Sequence, residues 1–353
     1  MRMKRILSID GGGIRGIIPG LLLVHLEDKL KAATNDPNVH ISDFFDFFAG
    51  TSTGGILTAL ILCPSEDNPN KPRFSTREAL NIYLDHGPEI FSTTRWRRFL
   101  SQFGLLSELY DETTFEKVLM DYFGDTKLSQ LIKPCIITAY NIELRKNHFF
   151  RQQKAISHGE SRDYYVRDVC RATSAAPTYF SVAEIFSLAN IRYPLVDGGV
   201  FAQNPSISAL LEVLKTFNTF KITDISILSL GTGAARNAYN YEDFKKKWAI
   251  SIGPALVDIM TSSSSESIDY FLRQLFKSVH HLENYIRIEP SNLLSVESSL
   301  DAATKTNIQK LESLADRMIS ENEEVIDQIV VELIEDRKSR NRKSAWNFLK
   351  NRD

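Results

Sequence analysis

Short apolar runs alternate with segments of helical spacing along most of the chain. Strand-like runs of four to six residues occur at 6–9, 44–49, 135–140, 193–196, 225–230 and 285–288. Apolar residues recur with helical spacing at 17–30, 56–62, 78–85, 115–122, 205–217 and 304–320. Because strands that alternate with helices usually pair in parallel, the pattern predicts an α/β fold with a central, mostly parallel sheet flanked by helices.

The chain shows no internal repeat and no Pro- or Gly-rich linker that would divide it into domains. The serines at 262–265 are the one low-complexity stretch, which predicts a loop or the edge of a helix. The last residues, 337–353, carry seven basic side chains against one acidic side chain. We therefore expect one domain at 1–336, followed by a basic tail that is solvated and partly flexible.

Composition narrows the class of protein. The chain is 43% hydrophobic and 24% charged with a formal net charge of −2, so it gives no reason to expect a nucleic-acid partner. The three scattered cysteines, Cys63, Cys135 and Cys170, argue against both a disulfide framework and a zinc site. No apolar run approaches the length of a signal peptide core or of a membrane span. These features favour a cytoplasmic protein, which would contact a membrane only from the water side.

A G-x-S-x-G motif, Gly50-Thr51-Ser52-Thr53-Gly54, lies between a predicted strand and a predicted helix. A strand-to-helix turn of this kind holds its central serine in strained backbone geometry and presents the hydroxyl at the edge of the sheet. The N-terminus of the following helix favours negative charge nearby. Ser52 is therefore the candidate nucleophile.

Three consecutive glycines follow the first predicted strand, in the run Asp10-Gly11-Gly12-Gly13-Ile14-Arg15-Gly16. Such glycines let backbone N–H groups converge on one point, which in an acyl hydrolase is the oxyanion of the tetrahedral intermediate. Arg15 could add positive charge there or orient the loop. Gly11, Gly13 and Gly16 also fit the G-x-G-x-x-G fingerprint of dinucleotide-binding domains. That fingerprint requires an acidic residue at the end of the second strand, whereas this strand runs into the serine motif, so we favour the hydrolase.

A serine nucleophile needs a base to accept its proton. His280 or His281 would fit the chain order of α/β-hydrolases, but both lie in a segment of helical pattern. Asp197 is the stronger candidate, since it follows an apolar strand and precedes Gly198-Gly199. A carboxylate beside a serine hydroxyl can act as a general base directly. The alternative is that Asp197 only forms a turn before glycine.

Together, these motifs resemble those of the patatin-like phospholipase family. That family carries a D-G-G-G-x-R/K-G loop, a G-x-S-x-G elbow and a D-G-G/A motif in this order, and the present chain has them at 10–16, 50–54 and 197–199. The segments 171–177 and 228–233 are also similar to stretches of the family, and weaker similarity continues to about residue 303. Three motifs in this order indicate the family far more specifically than any one of them alone.

The resemblance implies a three-layer α/β domain that hydrolyses fatty acyl esters of phospholipids or lysophospholipids. By position, Ser52 would attack the ester carbonyl and Asp197 would accept its proton. The backbone at Gly12 and Gly13 would stabilise the oxyanion, with Arg15 nearby. The resemblance implies no calcium, no other metal and no organic cofactor, and the expected partner is a phospholipid membrane surface.

Two further expectations concern regulation and membrane contact. Some bacterial members of the family are effectors of cyclic-nucleotide antiviral signalling, so an enzyme that is silent until a cyclic dinucleotide opens its site is an alternative. The segment 95–106 mixes arginines with Trp96 and Phe99, which suits either an interfacial lid or a core-packed helix.

Overall fold

The computed structural model describes residues 3–90, 112–217, 219–234, 241–245 and 249–350. The basic and aromatic segment at 95–106 lies outside these residues. Cys63, Cys135 and Cys170 are buried and free.

Eight strands form one sheet within the described chain. They are β1 Lys4–Ile9, β2 Phe47–Thr51, β3 Cys135–Asn141, β4 Lys146–Arg151, β5 Ala183–Phe186, β6 Arg192–Asp197, β7 Ile225–Leu230 and β8 Tyr285–Ile288. Hydrogen-bonded neighbours follow the path β5-β6-β3-β2-β1-β7-β8, and β4 also pairs with β3. Pairing is parallel from β3 through β2, β1 and β7 to β8, whereas β4, β5 and β6 join by antiparallel pairs. The predicted mostly parallel sheet is confirmed.

Helices connect these strands. They are α1 Ile17–Thr34, α2 Thr53–Leu62, α3 Thr76–Ile90, α4 Glu112–Phe123, α5 Gln152–His158, α6 Val166–Thr173, α7 Gly199–Ala202, α8 Ser206–Thr216, α9 Tyr241–Lys245, α10 Ala249–Ser278, α11 Lys305–Glu321 and α12 Glu323–Lys350. The helix expected at 205–217 begins one residue later, because Pro205 takes the cap position and the Asn204 side chain accepts the N–H of Ser206 at 3.0 Å.

Alternate side chains of the central strands enter opposite sides of the sheet. Leu7 and Ile9 of β1 pack into a large core that includes α1, α2 and α11, whereas Ile6 packs into a smaller core with α8 and α10. This alternation follows from the two-residue period of a strand. The result is two helical layers with the sheet between them, which confirms the predicted fold class.

The prediction of a loop or a helix edge at 262–265 is wrong, because these serines lie in the middle of α10. Two of the hydroxyls bond to the preceding turn of the same helix. Ser262 Oγ donates to the carbonyl of Asp258 at 2.6 Å, and Ser263 Oγ donates to that of Met260 at 3.2 Å. These bonds satisfy the hydroxyls within the helix, so serine is accommodated in its middle.

The boundary predicted at residue 336 falls inside α12, whose backbone is helical as far as Lys350. Arg337 of this helix lies over the ring of Phe44, with its guanidinium carbon 5.0 Å from the ring centroid. In the described part of the chain, none of the helices has the length and apolar character needed to cross a bilayer.

Candidate active site

Two strands meet end to end beside β3. Strand β4 pairs with residues 136–141 of β3 and so occupies one side of it. The other side is shared, since Thr138 pairs with Thr51 at the end of β2 and Ala139 pairs with Asp197 at the end of β6. Because β2 runs parallel to β3 and β6 runs antiparallel, the carboxyl ends of β2 and β6 face each other. This register brings Ser52 and Asp197 together.

Ser52 lies at the turn between β2 and α2 with a backbone φ of 52° and ψ of −122°. A positive φ in a residue other than glycine costs about 1–3 kcal/mol and persists only when the surroundings enforce it. Here the turn is too tight for side chains at the flanking glycines. A Cβ on Gly50 would lie 2.3 Å from the carbonyl oxygen of Gly54, and one on Gly54 would lie 2.2 Å from that of Ile9. The strand and the helix predicted around this motif are both present.

The end of α6 and the residues after it accept hydrogen bonds from the backbone N–H groups of both residues. The N–H of Ser52 donates to Thr173 Oγ1 at 2.8 Å, and Thr173 Oγ1 in turn donates to the carbonyl of Thr138 at 2.6 Å. The N–H of Asp197 donates to the carbonyl of Ala175 at 2.9 Å. Thr173 and Ala175 thus tie the serine turn and the aspartate turn to one short stretch of chain.

The Ser52 and Asp197 side chains lie close together in a buried setting. The two residues are 8% and 5% exposed. Burial raises the pKa of Asp197 to about 6, while the nearby Ser52 hydroxyl and the N–H of Gly199, which donates to the carboxylate at 2.7 Å, oppose the rise. A carboxylate with a pKa of about 6 is ionised at neutral pH and is a better proton acceptor than an ordinary aspartate.

The glycine-rich loop is held from both sides. The N–H of Gly11 donates to the carbonyl of Gln203 at 3.0 Å, and Gln203 Nε2 donates back to the carbonyl of Gly11 at 2.6 Å. Gly13 has a φ of 57°, and a Cβ there would lie 2.2 Å from the carbonyl oxygen of Leu300, which accepts the N–H of Ile14 at 2.9 Å. These contacts fix the backbone of the loop at both ends.

The N–H groups of Gly12 and Gly13 hydrogen-bond to none of the described residues. Gly13 lines the same pocket as Ser52. A Cβ on Gly12 would lie 2.4 Å from Thr232 Oγ1, so a larger residue would displace the loop. The loop therefore offers two adjacent backbone donors beside the serine.

Arg15 faces away from the serine pocket. Its guanidinium donates to the carbonyl of Gly12 at 3.3 Å and to that of Gly233 at 3.0 Å. Burial lowers its pKa, and the nearby charge of Asp258 opposes that shift. Arg15 also lines a second, polar cavity with about 310 Å³ of empty space. Through these contacts, Arg15 links the glycine-rich loop to Gly233 and so orients the loop.

Beneath the loop lies a buried ion pair. Arg287 Nη2 lies 2.7 Å from a carboxylate oxygen of Asp10, and both side chains are 2% exposed. Ser265 Oγ donates to the same carboxylate at 3.1 Å, and Arg287 also donates to Ser229 and Glu289 at 2.8 Å. Burial raises the pKa of Asp10 to about 6, and the charge of Arg287 opposes the rise. The pair anchors the start of the glycine-rich loop to β8.

An apolar pocket opens beside Ser52, with about 600 Å³ of empty space that is partly open to solvent. The hydroxyls of Thr53 and Ser174 are buried there and hydrogen-bond to none of the residues described. The lining is otherwise mainly apolar, with contributions from Ile56, Ile82, Tyr83, Ile90, Phe115, Ala176, Tyr179, Phe180 and Leu300. Its shape and character suit a hydrocarbon chain.

The histidines considered as alternative bases lie elsewhere. Helix α10 ends at Ser278, so His280 and His281 fall in the turn that follows it. His281 Nδ1 lies 3.0 Å from Glu283. Within the described chain, neither imidazole forms a hydrogen bond with Ser52 or Asp197.

Comparisons with known proteins agree with this geometry. Residues 7–210 match the family model described as patatin-like phospholipase. Patatin-like protein 2 of Oryza sativa subsp. indica is 31% identical, and the alignment covers 93% of this chain and 86% of that protein. Patatin group J-1 of Solanum tuberosum is 30% identical over 90% of this chain and 84% of its own length. A protein named "probable inactive patatin-3-Kuras 1", also of Solanum tuberosum, is 30% identical over 95% of this chain and 94% of its own length.

The family model spans more than half of the chain, and the alignments extend over nearly all of it. The chain therefore belongs to the patatin-like phospholipase family, and it is a lipid acyl hydrolase, a member of the carboxylic ester hydrolases.

Proposed function

We propose that the enzyme cleaves fatty acyl esters of phospholipids or lysophospholipids through an acyl-Ser52 intermediate, with Asp197 as the base. The observation that carries this proposal is the strand register, in which Thr51, next to Ser52, and Asp197 pair with the consecutive residues Thr138 and Ala139 of β3. The apolar pocket that begins at the serine supports an acyl chain as the group transferred.

The reaction then has two halves. Ser52 Oγ attacks the ester carbonyl carbon while its proton passes to Asp197, and a tetrahedral intermediate forms. The intermediate collapses, the carbon–oxygen bond to the glycerol side breaks, and Asp197 returns the proton to the departing oxygen. In the second half a water molecule attacks the acyl-Ser52 carbonyl and gives its proton to Asp197. Ser52 leaves with that proton, and a fatty acid is released.

The glycine-rich loop supports the negative charge that develops in both halves. We assign the oxyanion donors to the N–H groups of Gly12 and Gly13, which have no partner among the described residues, and Gly13 lines the serine pocket. Backbone donors held in this way stabilise the tetrahedral oxygen without reorganising during the reaction. Arg15 holds the loop through its bond to the Gly12 carbonyl.

A ligand-gated form of the same chemistry is the alternative. The polar cavity behind the loop is lined by Asp10, Asp258, Glu289 and Arg15, and Arg287 pairs with two of these carboxylates, Asp10 and Glu289. Constitutive hydrolysis at a membrane surface, reached from the cytoplasmic side, is the form we favour.

Fatty acid release from phospholipid and lysophospholipid vesicles is the direct test. We expect the purified chain to release fatty acid without added metal or nucleotide, and an organophosphonate to label Ser52, as identified by peptide mass spectrometry. Release that requires a cyclic dinucleotide would favour the gated alternative. Absence of release in every condition, together with no labelling of Ser52, would contradict the proposal.

The rate should depend on the ionisation of Asp197. Only the ionised carboxylate can accept the serine proton, and burial raises its pKa to about 6. We therefore expect kcat/KM for a soluble short-chain ester to rise with pH, with a midpoint near 6, and to fall about tenfold for each pH unit below it. The profile should be measured between pH 4.5 and 8.

Asp10 is the main competing explanation for such a profile, because its pKa is also raised to about 6 by burial. Asp10→Asn keeps the shape of the side chain and removes that titration. If Asp197 is responsible, the midpoint persists in a folded Asp10→Asn protein. A midpoint that disappears in Asp10→Asn would assign the titration to Asp10 and not to Asp197. A midpoint near 4 would show that burial does not raise the pKa of Asp197.

A further inference from the structure

A buried hydroxyl connects the turn that carries Ser52 to the short helix that follows Asp197. Thr51, the residue before Ser52, is fully buried, and its Oγ1 donates to the carbonyl of Ala202 in α7 at 2.6 Å. The same Oγ1 lies 2.7 Å from Thr138 Oγ1. A hydroxyl carries one hydrogen, and that of Thr51 is directed at a carbonyl, so Thr138 is the donor to Thr51. The Thr51 hydroxyl therefore has one partner on β3 and one on α7.

Helix α7 is a single turn that ends at Ala202 and begins beside Asp197. The N–H of Ala202 donates to the carbonyl of Gly198 at 2.9 Å, and the N–H of Gly199 donates to the Asp197 carboxylate at 2.7 Å. One turn of helix thus separates the carbonyl bound by Thr51 from the N–H that contacts the carboxylate. Because so short a helix is marginal by itself, its position depends on contacts with the rest of the protein.

Thr138 also contacts the start of this turn directly. A Cβ on Gly198 would lie 2.0 Å from Thr138 Oγ1 and 2.6 Å from the carbonyl carbon of Thr138, so Gly198 packs against β3 with no room for a side chain. The carbonyl of Thr138 accepts Thr173 Oγ1 at 2.6 Å, and Thr173 Oγ1 accepts the N–H of Ser52. Thr138 is therefore linked to the Ser52 turn through Thr173 and to the turn after Asp197 through Gly198.

We propose that Thr51 and Thr138 are positioning residues, whose hydroxyls set the separation of the Ser52 and Asp197 side chains and the orientation of the Asp197 carboxylate. This inference rests on the proposed function, since it concerns the alignment of the nucleophile with its base. Strands β2 and β6 each pair with β3 and not with each other in the described sheet. The bond from Thr51 to Ala202 joins the end of β2 directly to the helix after β6.

The competing explanation is that the two hydroxyls only stabilise the fold. Loss of either one leaves a buried polar group without its partner, so the free energy of unfolding should fall under both explanations. Neither residue lines the pocket beside Ser52, so a positioning role should lower kcat with little change in KM. A displacement of about 1 Å from the productive geometry can cost about 10²-fold in rate.

The pH profile separates the two explanations further. The N–H of Gly199 opposes the rise in the pKa of Asp197 that burial causes. A shift of α7 that weakens this hydrogen bond should therefore raise the pKa. Because the ionised carboxylate is the active form, the midpoint of kcat/KM should then move to higher pH.

The test replaces Thr51 with valine, which keeps the shape and removes the hydroxyl, and with serine, which keeps the hydroxyl. Thr138→Val removes the second hydroxyl. Thr58→Val is the matched control, because Thr58 is fully buried on α2, lies outside the pocket and has a hydroxyl with no hydrogen-bond partner among the described residues. For each variant, kcat and KM are measured on a soluble short-chain ester across the pH profile, and urea unfolding confirms that the protein is folded.

We expect Thr51→Val and Thr138→Val each to lower kcat by about 10- to 100-fold with little change in KM, and to move the pH midpoint upward. Thr51→Ser should recover most of the rate, and Thr58→Val should match the wild type. A folded Thr51→Val protein with the kcat and midpoint of the wild type would overturn the proposal. A Thr51→Ser protein as slow as Thr51→Val would also overturn it, since the hydroxyl would then not be the cause.

If Thr51→Val does not fold, the same comparison is made with Thr138→Val, and wild-type kcat and midpoint there would overturn the proposal. Ser52→Ala is measured on the same ester. Hydrolysis that survives in Ser52→Ala would overturn the proposed function, and with it the alignment inferred here. An inactive Ser52→Ala together with an unaffected Thr51→Val would overturn this inference alone.

Discussion

Replacing Ser52 with alanine is expected to reduce fatty acid release by a factor of about 10⁴ or more, without loss of folding. The substitution removes the only atom that can form the acyl-enzyme, whereas the pocket and the loop donors remain. Because Ser52 is held at a positive φ, alanine there keeps the same backbone strain, and the free energy of unfolding should change little. The measurement is initial rate on phospholipid vesicles together with urea unfolding.

Asp197→Asn should reduce the rate by a comparable factor, about 10³–10⁴, since an amide cannot accept the serine proton. The double variant should be little worse than either single variant, because the two groups act as one unit. Ser42→Ala is the control, since Ser42 is a buried serine outside the pocket. Substantial hydrolysis by Ser52→Ala, or additive losses in the double variant, would contradict the mechanism.

Replacing Arg287 with alanine should be the most destabilising of the substitutions considered. It would leave the Asp10 carboxylate buried at 2% exposure without its cation, and the loss of one partner from a buried pair costs about 3–5 kcal/mol. Hydrolysis should fall as well, because Asp10 begins the glycine-rich loop. The free energy of unfolding in urea measures the first effect, and the rate on a soluble ester measures the second.

The double variant Arg287→Met/Asp10→Asn removes both charges and should recover much of the lost stability. Arg192→Ala is the control, because that arginine pairs with Glu143 and Glu184 at the surface, where an ion pair contributes about 1 kcal/mol or less. If the free energy of unfolding of Arg287→Ala lies within about 1 kcal/mol of the wild-type value, the ion pair between Asp10 and Arg287 does not stabilise the fold.

The sequence predicted those parts of the site that depend on local chain geometry. Glycine at position 50 is required by a contact within the turn, with the carbonyl of Gly54, whereas glycine at 54 is required by the carbonyl of Ile9 in the neighbouring strand β1. The motif is readable because both glycines lie within two residues of Ser52. The turn after β6 also depends on residues that are close in sequence, since the Asp197 carboxylate accepts the N–H of Gly199. Apolar runs identified most central strands because buried parallel strands are continuously apolar.

The supporting residues could not be predicted because they come from distant parts of the chain. Thr173, Gln203 and Arg287 stabilise the motifs only through the register of the sheet and the packing of α10. Similarity to the family drew attention to the segment at 171–177, but no pattern indicated that Thr173 would accept the N–H of Ser52. The serines of α10 were misleading, since their helix is stabilised by bonds to Asp10 and Phe201 that composition does not reveal.

Because β2 and β6 meet beside β3, the spacing of the Ser52 and Asp197 side chains and the lining of the pocket depend on different parts of the chain. Thr138 and Ala139 are consecutive residues, so one peptide step of about 3.3 Å along β3 sets the offset between the strand ends that lead to Ser52 and Asp197. The stretch from the end of α2 to the start of β3 does not enter this spacing, yet it supplies Ile82 and Ile90 to the pocket. Insertions, deletions and exchanges in that stretch can therefore change acyl preference across relatives, or in a laboratory library, while the reacting atoms keep their positions.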